Sequence, residues 1–333
     1  MTTLETGLPR KINLALQGGG AHGAFTWGVL DRLLEEDSIV VDGISGASAG
    51  AMNAVVYANG MLDGGAAGAK KALHDFWKAV SDVPGIGELE VPSLMQFAGT
   101  GFDLMSRLFS PYQTNPLNLN PLRAMLNAQI DFGRLRQKSP LKLFICATNV
   151  KSGRVKVFEN AELSCDVLLA SSCLPLLFQA AEVNGDYYWD GGYMGNPPLF
   201  PLFEQTDTRD IMIVQINPIE RDDVPDTSLE IIDRLNEISF NSSLMLELRG
   251  IDAVNRMLAR NLADASQYKP IYIHEIDAED QMRKFGASSK SNSDWDFLQK
   301  LHQIGRHAAD KWLAANLDAI GKRSSIDIVK KYL

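Results

Sequence analysis

The sequence predicts an α/β fold in which parallel strands are followed by a glycine-rich turn and a helix. An apolar run at residues 12–16 leads into three glycines and then into apolar residues at helical spacing as far as Glu36. A second run at residues 39–41 leads into a Gly-x-Ser-x-Gly turn at residues 46–50 and another helical pattern. Because the strands of a βαβ unit are parallel, we expect both turns at the same edge of the sheet.

More strands and helices follow these two units. The predicted strands lie at residues 141–150, 154–158, 211–216 and 271–276. Asn184-Gly185 is a strong hairpin signal, so two short strands should meet there. Residues 73–80 are predicted to be helical, and the predicted helix N-caps are Asn120, Ser164 and Asp294. Residues 229–262 are amphipathic, but polar residues at 241–243 and a glycine at 250 predict more than one helix there.

Composition and charge exclude several classes of function. The net charge of −9 argues against a nucleic-acid partner, because binding a phosphate backbone needs a basic face. Residues 1–16 lack the pattern of a signal peptide, so we expect a cytoplasmic protein, with contact at a membrane surface left open. The sequence has three cysteines, and no two of them are close in the chain. We expect them to be small buried side chains that form neither a disulfide nor a zinc site: Cys146, Cys165 and Cys173.

The chain shows no internal repeat or linker, so a single domain over residues 1–333 is the simplest division. Its motifs lie in a core at about residues 11–218, and the remaining part, about residues 219–333, is mainly helical in pattern. Residues 43–62 are uncharged over the length of a membrane span, but their glycines and turn favour a buried segment instead.

Ser48 is the first candidate catalytic residue. Gly46 and Gly50 flank it, as a nucleophile elbow requires where a strand and a helix meet at a strained turn. The hydroxyl of such a serine lies at the positive end of the following helix, which stabilises a developing oxyanion. The pentapeptide alone fits a packing turn equally well.

The glycine run at Gly18, Gly19 and Gly20 offers bare N–H groups near the start of a helix. A phosphate cradle is one interpretation, but the Gly-Lys-Ser/Thr ending and the spaced dinucleotide pattern are absent. An oxyanion hole needs only backbone donors beside a nucleophile, and this is the interpretation we favour. His22 follows the run and either contacts the site or serves a capping or surface role.

Asp190 is the candidate partner of Ser48. The predicted hairpin delivers it to a turn formed by Gly191 and Gly192, where an aspartate can also be merely solvated. His274 follows Asp190 in the chain and would complete an ordinary Ser…Asp…His order, so a triad remains an alternative. Three further histidines lie outside the glycine loop, and we expect them to be structural or exposed: His74, His302 and His307.

Two segments raise the question of lipid contact. Residues 84–116 mix Gly and Pro with many Phe, Leu and Met, which fits either an irregular core layer or an apolar cover over the site. Ser324 is predicted to cap a short terminal helix whose lysines could touch anionic lipid or simply face solvent.

Four stretches in order closely resemble the patatin-like phospholipase family. They are Gly-Gly-Gly-Ala-His-Gly at residues 18–23, Gly-Ala-Ser-Ala-Gly at 46–50, Ala-Ser-Ser-Cys-Leu-Pro-Leu-Leu-Phe at 170–178, and Asp-Gly-Gly-Tyr-Met-Gly-Asn-Pro at 190–197. Each motif is common, but the ordered set is specific and the resemblance covers about residues 11–202. It implies a three-layer α/β/α domain with a mostly parallel central sheet.

The resemblance also implies roles for individual residues. Ser48 matches the nucleophile of a Ser-Asp dyad and Asp190 matches its partner, while the three glycines match the oxyanion loop. The sequence departs from the family pattern at Gln17, where an Asp is frequent, and at His22, where Arg or Lys is usual. The second departure removes a fixed positive charge from the loop.

Together these observations predict a lipid acyl hydrolase of the phospholipase A or lysophospholipase type. Ser48 would attack the ester of a phospholipid or other acyl ester, with Asp190 as general base and the loop glycines and Ala49 N–H as oxyanion donors. No metal or organic cofactor is required. An acyltransferase that uses the same acyl-enzyme and a non-catalytic regulatory lipid-binding protein remain alternatives. The sequence indicates neither the preferred head group or chain length nor an oligomeric state.

Overall fold

A mixed eight-stranded sheet forms the centre of the computed structural model, which describes residues 9–83 and 110–333. The strands are β1 (Arg10–Leu16), β2 (Ile39–Ala47), β3 (Lys142–Asn149), β4 (Val155–Glu159), β5 (Ala181–Val183), β6 (Asp186–Asp190), β7 (Asp210–Val214) and β8 (Tyr272–Ile276). Five of them run parallel in the order β3-β2-β1-β7-β8, and β4, β5 and β6 add antiparallel pairs on the β3 side. The predicted mostly parallel sheet is confirmed.

Helices cover both faces of this sheet. They are α1 (Gly23–Leu33), α2 (Ala49–Asp82), α3 (Pro111–Thr114), α4 (Pro121–Gln129), α5 (Phe132–Lys138), α6 (Cys165–Ser171), α7 (Phe200–Gln205), α8 (Ser228–Ala259), α9 (Glu279–Met282), α10 (Trp295–Asn316) and α11 (Ile328–Tyr332). Alternate residues of β7 enter two separate apolar cores, Met212 on one face and Ile213 on the other. The first core packs against α1, α2, α6 and α10, and the second against α7, α8 and α11. The three-layer α/β/α architecture is therefore confirmed.

The predicted caps and hairpin are present. The side chains of Asn120, Ser164 and Asp294 each accept a hydrogen bond from a backbone N–H in the first turn of the helix that follows. Asn184 and Gly185 both have positive φ, at 53° and 84°, which a two-residue turn of this kind requires between paired strands. Local chemistry at these positions decides where the elements begin.

Two predictions in the C-terminal part are wrong. The expected break inside residues 229–262 is absent, because α8 is continuous and Asn241 uses its amide for contacts to Gln17 and Pro218 instead of ending the helix. At the terminus, Asp327 and not Ser324 caps the last helix. Lys331 on that helix forms ion pairs with acidic side chains of the domain, so it is not a free lipid contact.

The apolar segment at residues 84–116 cannot be compared with its two interpretations, since residues 84–109 lie outside the described residues. Of that segment, residues 111–114 form α3. Among the helices of residues 9–83 and 110–333, none combines the length and apolar character needed to cross a membrane.

Candidate active site

Ser48 occupies the sharp turn between β2 and α2. Its φ of 52° and ψ of −122° are strained for a residue with a side chain, as expected at a nucleophile elbow. A side chain at Gly50 would overlap the carbonyl oxygen of Leu16, and one at Gly46 would lie 2.7 Å from the Gly50 backbone. Ser48 itself is half-buried between the buried Ala47 and Ala49. The glycines thus let strand and helix meet closely around a serine that is itself only half-buried.

The register of the sheet brings Asp190 to this turn. On β3, Cys146 pairs with Ala47 of β2, and the next residue, Ala147, pairs with Asp190 of β6. Because β4 pairs with both Cys146 and Ala147 along the opposite edge, β2 and β6 must share the remaining edge. Asp190 therefore follows Ala47, the last residue of β2, along the same edge of β3, and Ser48 is the residue after Ala47.

The carboxyl group of Asp190 is buried, with 1% of the residue exposed. Burial raises its pKa to about 6, although the Gly192 N–H and the Ser48 hydroxyl both act to lower it. Oδ1 accepts the Gly192 N–H at 2.7 Å, while Oδ2 has no well-aligned hydrogen bond within the described residues. A side chain at Gly191 would overlap the Cys146 carbonyl, so this turn can follow β6 only with glycine there. The result is a carboxylate that is basic enough to accept a proton near neutral pH.

The glycine loop lies against the nucleophile. A Cβ built on Gly18 would be 2.7 Å from the Cβ of Ser48. The Gly18 N–H, however, already donates to Asn196 Oδ1 at 2.6 Å. The predicted set of oxyanion donors therefore narrows to Gly19, Gly20 and Ala49.

The remaining candidate donors lie at the 3-10 turn Gly20–His22, which leads into α1, and at the first residue of α2. Gly23 opens α1, and a Cβ there would lie 2.7 Å from the Cβ of Ala49, the first residue of α2. Within residues 9–83 and 110–333, neither the Gly19 nor the Ala49 N–H donates a hydrogen bond to a protein acceptor. Backbone donors at two converging helix N-termini are suited to binding negative charge.

Gln17 ties the glycine loop to the segment that follows the neighbouring strand β7 and to α8. Its Oε1 accepts the N–H groups of Ile216 and Asn217, both at 3.0 Å, and its amide donates to Asn241 Oδ1 at 3.2 Å. A buried glutamine can both accept and donate in this way, whereas a carboxylate could only accept. Gln17, which stands where the family frequently has an Asp, is therefore compatible with an ordered glycine loop.

His22 is neither a surface residue nor a side-chain cap, which corrects the expected role. It is 2% exposed, makes no capping hydrogen bond, and its Nε2 lies 2.7 Å from Ser289 Oγ. Burial lowers its pKa to about 3, with further lowering by the charges of Lys290 and Arg221. His22 is therefore neutral, and its hydrogen bond goes to Ser289 and not to the dyad.

His274 does not complete a triad. It is fully buried on β8, where its Nε2 lies 2.9 Å from Asp210 Oδ1 and its ring packs edge-on against Trp312. Asp190 is engaged by Gly192 and Ser48 instead. The alternative that relied on His274 is contradicted by this pairing.

Two residues that were given no role from the sequence also support this region, Ser171 from one of the four family-like stretches and Glu247 from outside them. Ser171 accepts the N–H of Ser48 at 3.0 Å, and Glu247 of α8 accepts the N–H groups of Leu199 and Phe200 at 2.9 and 2.8 Å. Burial raises the pKa of Glu247 to about 7. A lone glutamate in an amphipathic helix looks like any solvated residue, so only the fold identifies it. Among the described residues, no three His, Cys, Asp or Glu side chains converge as metal ligands.

Known proteins resemble the chain at several levels. A model of the family described as patatin-like phospholipase matches residues 14–203. Lysophospholipase NTE1 of Cryptococcus neoformans var. neoformans serotype D, in strains JEC21 and B-3501A, is 29% identical over 218 residues, which are 63% of this chain and 11% of the relative. The chain thus spans only a small part of the length of these curated relatives.

Two solved structures are similar at lower identity. VipD from Legionella pneumophila is 17% identical, with a TM-score of 0.44 over 92% of this chain and 67% of that one. The complex of SpcU with ExoU from Pseudomonas aeruginosa gives 16% identity and a TM-score of 0.31 over 92% and 54%. The matched family region includes the glycine loop, the elbow and Asp190, and it spans more than half of the sequence. The chain therefore belongs to the patatin-like phospholipase family.

Proposed function

We propose that the protein is a lipid acyl hydrolase that works through a Ser48–Asp190 dyad. The observation that carries this proposal is the shared edge of β3, along which β2 ends at Ala47, directly before Ser48, and β6 ends at Asp190. The carboxyl is buried and its pKa is raised to about 6, which suits a general base. His274, the histidine that could have formed a triad, is paired elsewhere.

The geometry supports the following sequence of steps. Ser48 Oγ forms a bond to the ester carbonyl carbon while its proton passes to Asp190. The carbonyl oxygen becomes an oxyanion held by the N–H groups of Gly19 and Ala49, with Gly20 as a further candidate. Collapse breaks the ester C–O bond, and the leaving alcohol takes the proton from Asp190. Water then attacks the acyl-enzyme through the same steps and releases the fatty acid and Ser48.

An acyl lipid is the substrate class that the surroundings favour. The side chains of Leu176 and Met194, from the segments on either side of β5 and β6, are 61% and 41% exposed. The backbone of the first segment accepts the Asp190 N–H at Cys173, and the second segment follows Asp190 directly. Exposed apolar side chains on such segments can receive an acyl chain, and they also favour contact with a lipid surface. The relative named a lysophospholipase supports the same class.

The test is hydrolysis of a panel of phospholipids and lysophospholipids by the purified protein, with mass analysis of the products. We expect free fatty acid and the matching deacylated lipid, and no product from Ser48→Ala. Acyl transfer to an added alcohol or lysolipid, with little free acid, would identify an acyltransferase instead. A folded protein that binds lipid but releases no acyl group would reject the enzymatic proposal.

A further inference from the structure

The peptide unit between Gly18 and Gly19 is held by side chains from distant parts of the chain. The Gly18 carbonyl accepts a hydrogen bond from Asn217 Nδ2 at 2.8 Å and a longer one from Asn196 Nδ2 at 3.4 Å. In a trans peptide the C=O and N–H groups point in opposite directions. The two amides therefore direct the Gly19 N–H away from themselves and leave it available to a ligand.

Asn217 also contacts a positive charge. Lys290 Nζ donates to Asn217 Oδ1 at 2.8 Å. Since an ammonium group can only donate, the orientation of the Asn217 amide is fixed, with Oδ1 toward Lys290 and Nδ2 toward Gly18. Asn217 is fully buried, and Gln17 accepts both its backbone and its side-chain N–H at 3.0 and 3.2 Å.

The segment that carries Lys290 is built against the glycine loop. A Cβ on Gly20, whose φ is +58°, would overlap the Lys290 carbonyl oxygen. The same 3-10 turn, Ala287–Ser291, supplies Ser289 to His22. His22 is neutral, so the loop's own histidine brings no charge to it, and the hydrogen-bonded cation comes from this turn.

We propose that Lys290, acting through Asn217, positions and polarises the Gly18–Gly19 peptide so that the Gly19 N–H becomes a stronger oxyanion donor. A cation bound at one end of an amide draws electron density from its N–H, and chains of such hydrogen bonds strengthen one another. Lys290 is a positioning residue, because it reaches the reacting atoms only through other groups. The inference rests on the proposed function of Ser48.

The test is the rate of Ser48 acylation, measured as the burst of p-nitrophenol from a short p-nitrophenyl ester. Loss of a whole oxyanion donor typically costs 10²–10³-fold, so we expect a loss of about tenfold in Lys290→Met, where the donor remains but is weakened. Apparent ester affinity and melting temperature should change little. Lys290→Arg keeps the positive charge and should therefore retain most of the wild-type acylation rate. The control is Lys300→Met, which removes a cation that contacts Phe285 and should leave the acylation rate unchanged.

A double-mutant cycle separates this relay from a merely structural effect. If Lys290 acts through Asn217, then Lys290→Met should cause no further loss of acylation in an Asn217→Ala background. Additive losses, or a normal burst in Lys290→Met, would overturn the relay. Should Lys290→Met fail to fold, Lys290→Gln keeps a donor without the charge, and full acylation in that variant would also overturn it. A folded wild-type protein that releases no p-nitrophenol at all would instead reject the proposed function, and the relay with it.

Discussion

Replacing Asp190 with asparagine should remove activity and at the same time stabilise the protein. The substitution keeps the shape of the side chain and lets the Gly192 N–H donate to an amide oxygen as it now does to Oδ1. It removes the base that would accept the Ser48 proton. It also removes a buried carboxylate, which is costly to desolvate when ionised.

The size of the stabilisation follows from the pKa. In the folded state the pKa of Asp190 is raised from 3.8 to about 6, so between these values the folded protein retains a proton that the unfolded chain has lost. The contribution of Asp190 to the wild-type free energy of unfolding should therefore fall as pH rises from about 4 to about 6 and then level off. At about 1.4 kcal/mol per unit, Asp190→Asn should gain up to roughly 3 kcal/mol above pH 7 and almost nothing near pH 4.

The assay is urea unfolding at several values between pH 4 and 8, together with esterase activity at pH 7.5. Asp186→Asn, at the exposed start of the same strand, is the matched control and should change neither quantity. Equal unfolding free energies for wild type and Asp190→Asn at pH 7.5 would refute the assignment of a raised pKa. If Asp190→Asn kept activity within about tenfold of wild type, the activation free energy would have risen by less than about 1.4 kcal/mol. That result would refute the role of Asp190 as general base.

Three further predictions address the rest of the site. The value of kcat/KM should rise with pH to a plateau with a midpoint near 6, as Asp190 loses its proton, and a midpoint below 5 in a pH–rate profile would contradict this. Gly19→Ala should lower turnover by about 10²-fold, because a methyl group would crowd the donor that holds the oxyanion. The melting temperature should change little, because the one contact of the added Cβ below 3.0 Å is with the flexible end of the Ile216 side chain, at 2.9 Å. Unchanged turnover would show that Gly19 is not a donor. His274→Ala should lower the free energy of unfolding by about 2–4 kcal/mol in urea, because the buried Asp210 loses its hydrogen-bond partner. The activity of each folded molecule should be retained.

The sequence was sufficient for the features that depend on local chemistry. The glycines around Ser48, the caps at Asn120 and Ser164, and the Asn184-Gly185 turn each act within a few residues of themselves, and all of them lie where they were predicted. The ordered motifs also predicted Asp190 as the partner of Ser48, and the dyad stays a prediction. What brings the two residues to one edge of β3 is the register of the sheet, which no single motif specifies.

Features that depend on long-range contacts could not be predicted. Gly18 resembled its two neighbouring glycines in the sequence, and only the position of Asn196 shows that its N–H is already used. His22 was expected either to contact the site or to serve as a cap or surface residue, but it is buried and its hydrogen bond goes to Ser289. The long helix α8 continues through Asn241 because tertiary hydrogen bonds outweigh its weak helix propensity.

Direct detection of the acyl-enzyme tests the central claim, which is nucleophilic catalysis by Ser48. The protein would be mixed with a p-nitrophenyl ester, quenched in acid during the burst, digested and mapped by mass spectrometry. We predict one acyl group on the peptide that contains Ser48, at close to one equivalent per burst of p-nitrophenol, and no adduct in Ser48→Ala. Ester hydrolysis that proceeds with no adduct on this peptide, or that persists in Ser48→Ala, would contradict the account.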